Sequence, residues 1–151
     1  MFKLPKKILF AIEAVLDIAY HAGAEPVQSR EITRRQGIPR RYLEQALQSL
    51  VRNGVLTGVR GPRGGYLLAR ERRRITLAEI VQAVAKDDPD DKNQFDDLGS
   101  DLGQKIIFPL WSELETGLME QLSQITIDQL CEQAVNHKIV SEGRKNLDFS
   151  I

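Results

Sequence analysis

Soft and imidazole donors are scarce in these 151 residues: one cysteine, Cys131, and two histidines, His21 and His137. A single thiol excludes an internal disulfide and suits a reducing cytoplasm. The two histidines stand alone in the sequence, and no metal site is expected from them. No apolar run approaches the roughly 20 residues needed to span a bilayer, so no membrane partner is expected. The opening residues are basic and then apolar. Glu13 and Asp17 interrupt that stretch and no small-residue cleavage site follows, so a signal peptide is not expected. No nucleophile–base pair, phosphate loop or paired-carboxylate arrangement supports an enzyme.

Charge of one sign is missing only in the total. Met1 to Thr76 holds 15 Lys/Arg against 6 Asp/Glu, a net +9, and the remainder holds 6 against 15, a net −9. Such a split suggests a half that binds a polyanion and a half that avoids it.

Apolar periodicity then organises the basic half. Ile8, Ala11, Ile12, Val15, Ile18 and Ala19 repeat at helical spacing and predict a helix over 7–23, stopped by Gly23. Ser29 is the expected cap of a short helix over 30–36, which Gly37 would end. Pro39 suits the first turn of a third helix whose inward face is Leu43, Ala46, Leu47 and Leu50, closed by Asn53-Gly54. The connection Gln36-Gly37-Ile38-Pro39 has the short, glycine-containing form of a helix-turn-helix.

Two β-prone runs, within 57–68, flank a tip of Gly, Pro and Arg, which predicts a hairpin whose tip can lie close to another molecule's backbone. A basic helix followed by a basic, glycine-tipped hairpin is the layout of a winged helix-turn-helix, with double-stranded DNA as its partner. An α-helix fits the major groove. Arg40 and Arg41 lie at the helix start, where base edges are usually met, followed by Tyr42, Glu44, Gln45 and Gln48. Glu44 accepts from a cytosine amino group, orients an arginine, or is a plain surface glutamate. On the wing, Arg60 and Arg63 suit a narrow minor groove, and Gly64 permits close backbone approach. Lys3, Lys6 and Lys7 would neutralise phosphates. Tyr66 is expected to anchor the wing, and Arg70, Arg72, Arg73 and Arg74 read equally as phosphate contacts or a solvated connector.

Further on, Thr76-Leu77-Ala78-Glu79 is a capping box opening a fourth helix with Leu77, Ile80, Val81 and Val84 as its stripe. After Lys86 the chain turns hydrophilic and acidic. It lacks the EF-hand pattern, and a solvated, partner-facing loop is the expectation. Ile107, Leu110, Leu114, Leu118, Leu122 and Ile125 then recur at three- and four-residue steps beside Trp111. This narrow stripe suits packing against a second copy. Pro109 must begin that helix or kink it. Thr126-Ile127-Asp128-Gln129 is a second capping box, and Cys131 reads as a small buried apolar group.

In this order and spacing the chain resembles the IscR, NsrR and CymR family of bacterial winged-helix transcriptional regulators. The resemblance rests on Leu16-Asp17-Ile18-Ala19, Tyr42-Leu43-Glu44-Gln45, Val59 to Ala69, Ile75 to Ile80, Leu110-Trp111 and Ile125-Thr126. It implies a homodimer joined by crossed long helices, with Ile107, Leu110, Trp111, Leu114, Leu118 and Leu122 at the interface. Iron–sulfur members carry three cysteines in the loop after the fourth helix. Here that loop has Asp87, Asp88, Asp90, Asp91, Asp96, Asp97 and Asp101, with no Cys or His. Aspartate rarely replaces thiolate on such a cluster, so no cofactor and no metal are expected.

The expected fold is mainly α with a small β-hairpin. It comprises a winged helix-turn-helix domain over 1–85, an acidic effector-type loop over 86–103, dimerisation helices over 104–135 and a flexible tail over 136–151. The expected function is a cytoplasmic, dimeric, sequence-specific transcriptional regulator, more readily a repressor, with a protein or small molecule as possible effector. The competing reading is a protein-interaction module that docks a partner such as a metabolic enzyme. The basic residues Arg40, Arg41, Arg60 and Arg63 favour DNA.

Overall fold

Helical spacing in the first third of the chain generates three helices around one apolar stripe. The computed structural model describes residues 4–89 and 99–143. Helix α1 covers Lys6–Tyr20, α2 Ser29–Gln36 and α3 Arg40–Arg52. The hairpin is β1 (Leu56–Val59) paired antiparallel with β2 (Gly65–Leu68), in the register Leu56 to Leu68. Then come α4 (Leu77–Lys86), α5 (Phe108–Ser123) and α6 (Ile127–Asn136). The mainly helical winged architecture is as the sequence predicts. No described helix is long and apolar enough to cross a membrane.

The core is one cluster. Ala11, Val15 and Ile18 of α1 meet Leu43, Leu47 and Leu50 of α3, with Ile80 and Val84 of α4 and Ile127 and Cys131 of α6. Helix α6 is tied in by a short antiparallel bridge: Leu77 N–H donates to Ile125 C=O, and Ile127 N–H to Ile75 C=O, both at 2.9 Å. It therefore returns to the core instead of extending away with α5.

Several local expectations shift. Helix α1 ends at Tyr20 with His21 as its cap, three residues before Gly23. Helix α2 begins at Ser29, and Gln28 takes the cap position, its N–H donating to Glu31 Oε2 at 2.9 Å. The Thr126–Gln129 box is reciprocal, whereas Thr76 only accepts from Glu79 N–H, because the Glu79 carboxylate pairs with Arg70. The buried stripe of α4 is Ala78, Ile80, Ala83 and Val84, with Leu77 and Val81 half-buried at its edge.

Pro109 is accommodated by a widened turn. The chain is already helical at Asp101, and a π turn over Gly103–Ile107 leads directly into α5. A proline lacks an N–H and crowds the carbonyl four residues back; an i→i+5 turn just before it makes room.

Residues 137–143, read from sequence as the start of a free polar tail, are strapped to α1 and α2. The Tyr20 hydroxyl donates to Ile139 C=O, and Ser141 Oγ donates to Tyr20 C=O at 2.7 Å. Glu142 N–H donates to His21 Nδ1 at 3.1 Å, and the Glu142 carboxylate accepts from Arg34 at 2.8 Å and Arg35 at 2.7 Å. The rest of the expected tail, 144–151, lies outside the described residues.

Asp17 is the one buried charged residue among those described. It accepts from Arg35 Nε at 2.9 Å, Arg35 Nη2 at 2.8 Å and Gln36 Nε2 at 2.8 Å, which joins α1 to α2. Breaking a buried pair strands a desolvated charge, so Asp17→Ala should destabilise the fold by about 3 kcal/mol. Urea denaturation measures this, and a loss below about 1 kcal/mol would show that Arg35 finds full compensation in Glu142.

Burial holds the His21 imidazole below its ordinary range, against the pull of Asp17 and Glu142. The unfolded chain takes up a proton near pH ~6.5 while the folded chain resists. Stability is therefore full above that pH and declines as pH falls through the unfolded value towards the folded one. Urea midpoints at pH 7.5 and 5.5 should differ more for the wild type than for His21→Gln. Equal differences would exclude His21 as the source.

Candidate nucleic-acid interface

Helix α3 is amphipathic with a sharp division. Leu43, Ala46, Leu47 and Leu50 are buried, while Arg40, Arg41, Glu44, Gln45 and Gln48 are exposed. Its first turn holds two arginines and no acid. Cations at a helix N-terminus oppose the helix dipole, so helix stability does not account for them. Arg40 Nε donates to Glu44 Oε1 at 2.9 Å, so Glu44 orients an arginine, one of the alternatives open from sequence. Arg41, Gln45 and Gln48 make no hydrogen bond or ion pair among the described residues. The Tyr42 ring lies 5.8 Å from the Phe10 ring and stays 45% exposed, fastening α3 to α1.

The wing is shaped by two close backbone approaches. A Cβ on Gly64 would lie 2.2 Å from Val59 O, and one on Gly65 would lie 2.5 Å from Val27 O. Only glycine fits either place. Val27 and Tyr66 exchange backbone hydrogen bonds of 3.0 and 2.8 Å, a third strand-like contact that the sequence did not reveal. Tyr66 is half-buried against the core, the anchoring role expected of it. Arg60 is exposed, and Arg63 reaches outward with 86% of its side chain exposed and Glu25 3.6 Å away.

Two grooves flank α3. One, of about 720 Å³, lies towards the wing and brings together Arg40, Arg60 and Gly64 with Ser29 and Arg30. Arg30 was missed from sequence; its place in the first turn of α2, on the exposed side, is the signal that could have found it. The other groove, of about 530 Å³, joins Lys7, Arg41, Gln45 and Gln48 with Arg52 and the carboxylates that follow α4. Lys7 is paired there with Asp88. Three of the connector arginines are engaged: Arg70 with Glu79, Arg72 with Asp128 at 2.7 Å and Arg73 with Glu71 at 2.6 Å. Lys3 lies outside the described residues.

The long apolar stripe stands apart from these grooves. No residue of α5 is buried, and Ile107, Leu110, Leu114 and Leu118 are each about half exposed, while Trp111 and Leu122 are half-buried.

A cysteine-ligated iron–sulfur cluster does not fit the residues present. The chain has one thiol, Cys131, buried in α6 within the core, and burial pushes that thiol up and so disfavours the thiolate a metal needs. The described residues contain no group of three or more Cys, His, Asp or Glu able to hold a metal ion. Asp90, Asp91, Asp96 and Asp97 lie outside them.

Comparison with known proteins agrees with this geometry. Residues 4–133 match the Rrf2 family, described as an iron-dependent transcriptional regulator. The HTH-type transcriptional regulator IscR of Pectobacterium carotovorum subsp. carotovorum is 34% identical over 150 residues, covering 99% of this chain and 88% of the relative. IscR of Xenorhabdus nematophila is 36% identical over 129 residues, covering 85% and 78%. The solved structure of T. potens IscR matches with a TM-score of 0.72 and 29% identity over 93% of both chains. CymR, the global cysteine regulator of B. subtilis, shares the fold with a TM-score of 0.66 and 22% identity, covering 88% of this chain and 98% of its own. The chain belongs to the Rrf2 family: it is a DNA-binding transcriptional regulator and not an enzyme.

Proposed function

We propose that this regulator acts in the cytoplasm as a homodimeric, sequence-specific repressor and needs no iron–sulfur cluster. In this reading α3 enters the major groove with Arg40, Arg41, Tyr42, Glu44, Gln45 and Gln48. The wing brings Arg60, Arg63 and Gly64 to the minor groove, and Lys7 meets phosphate. The observation that carries the reading is the outward face of α3. Arg41, Gln45 and Gln48 are exposed and make no hydrogen bond or ion pair among the described residues, and the exposed wing arginine Arg60 lines the neighbouring groove beside Arg40. Side chains with free donors, beside a backbone that only glycine can form, suit direct base readout and close phosphate approach.

The half-exposed stripe of α5 supports pairing with a second copy. A dimer would hold two recognition helices at a set spacing, and repression follows if it occludes a promoter. The acidic stretch 86–103 is then the segment that would meet a protein or small-molecule effector.

Selecting bound fragments from genomic DNA tests the reading directly. On the recovered operator, affinity should fall with salt at a slope of about −0.9 per phosphate neutralised. Arg41→Ala and Arg60→Ala should each weaken binding by about 10-fold, the size of one good contact. Arg63→Ala should act mainly on operators with a narrow A·T-rich minor groove. A flat salt response, or full affinity in Arg41→Ala, would remove α3 from the interface.

Leu114→Asp with Leu118→Asp should raise the dimer dissociation constant by about 100-fold or more, because charge would be buried unpaired across the interface. Both positions are half exposed in the single chain, so the fold should persist. Sedimentation and circular dichroism read the two effects separately, and an unchanged dimer would put the interface elsewhere.

A further inference from the structure

Helix α4 carries Lys86 in its last turn, and two carboxylates follow directly. Its cap is Asp87 and the next residue is Asp88, two carboxylates at the end where the helix dipole is negative and a cation is favoured. Neither stabilises its own helix, and both are turned to cations from elsewhere. Asp87 Oδ2 accepts from Arg52 Nη1 at 3.0 Å and from Asn53 Nδ2 at 3.2 Å, and Asp88 pairs with Lys7. The carboxylates are largely covered, at 16% and 13% exposure, while Arg52 and Lys7 remain 63% and 38% exposed.

Those two cations border the groove that holds Arg41, Gln45 and Gln48. The carboxylates thus sit where a DNA backbone beside α3 would run. A cation held by Asp87 or Asp88 cannot neutralise a phosphate, and each carboxylate repels one. The cation of each pair keeps a solvent-facing side, so a phosphate can reach it and compete.

We infer that Asp87 and Asp88 act as an intramolecular phosphate mimic that competes with DNA for Arg52 and Lys7. This autoinhibitory contact holds operator affinity below what the basic surface alone would give. Neutralising or withdrawing the two carboxylates raises affinity, which couples the start of the acidic stretch to DNA binding without any metal. The inference rests on the proposal that α3 faces DNA.

The test uses the full chain and the operator recovered by genomic selection, with fluorescence anisotropy across about 50 to 200 mM salt. Asp87→Asn with Asp88→Asn should bind about 5- to 10-fold tighter at the low end, with a salt slope steeper by roughly 0.9 for each cation released to a phosphate. In a Lys7→Ala, Arg52→Ala background the same pair of changes should give no gain. Because Asp87 also holds Asn53 at the end of α3, the single Asp88→Asn change is the second variant, expected to gain about 3-fold through Lys7 alone. A folded Asp88→Asn protein of unchanged affinity overturns the inference, and so does a gain that persists without Lys7 and Arg52, since that would be net charge only. Wild-type protein that retains no DNA fragment overturns the DNA-facing reading of α3 as well, whereas wild-type binding with no gain in the variants overturns the inference alone.

Discussion

The roll of α3 about its own axis governs what this protein can do. Leu43, Leu47 and Leu50 are fully covered by α1, α4 and the start of the hairpin. Each such burial is worth about 1.5–3 kcal/mol. A rotation by one residue, ~100°, would expose that stripe and bury Glu44 and Gln48, or Gln45 on turning the other way. With the inner face fixed, Arg41, Glu44, Gln45 and Gln48 have only the outer face left. The polar surface is thus a consequence of the core, and its rigidity is what a sequence-reading helix requires.

Charge placement runs against the helix dipole beside that surface, at the starts of α1 and α3 and just past the end of α4, where Lys6 and Lys7 open α1. Arg40 and Arg41 stand at the positive end of α3, and Asp87 and Asp88 at the negative end of α4. Other charges follow the dipole: Glu31 and Glu79 lie in first turns, Arg34 and Arg35 in the last turn of α2, and Lys86 in the last turn of α4. Charges for which local stability gives no reason are candidates for function. In the proposed reading the basic charges meet phosphate and the acidic ones oppose it.

The buried Asp17–Arg35 pair does different work. It locks α1 to α2, and Arg35 continues to Glu142, so the strap at 139–142 is built on the same guanidinium. The helix-turn-helix is thereby held by charges that are satisfied within the protein. On α3 and the wing, Arg41 and Arg60 face outward without a carboxylate partner among the described residues.

Much of this was legible in the sequence. The helices, the inward face of α3, the hairpin and the second capping box all follow from local pattern, and they appear as read apart from the ends of α1 and α2. The Val27–Tyr66 bridge, the π turn before Pro109, the strap of 139–142 and the place of Arg30 in the wing groove were not legible. Each depends on segments that meet only in the folded chain. The clearest case is the basic surface. Lys7 and Arg52 look like any other cation in the sequence, but their partners Asp88 and Asp87 lie 81 and 35 positions away. By itself the sequence determined the helices, the hairpin and the amphipathic division of α3, because caps and periodicity act within a few residues. Only the tertiary structure decided which cations are held by carboxylates and which stand free, because ion pairing is a matter of angstroms in space and carries no local signature along the chain.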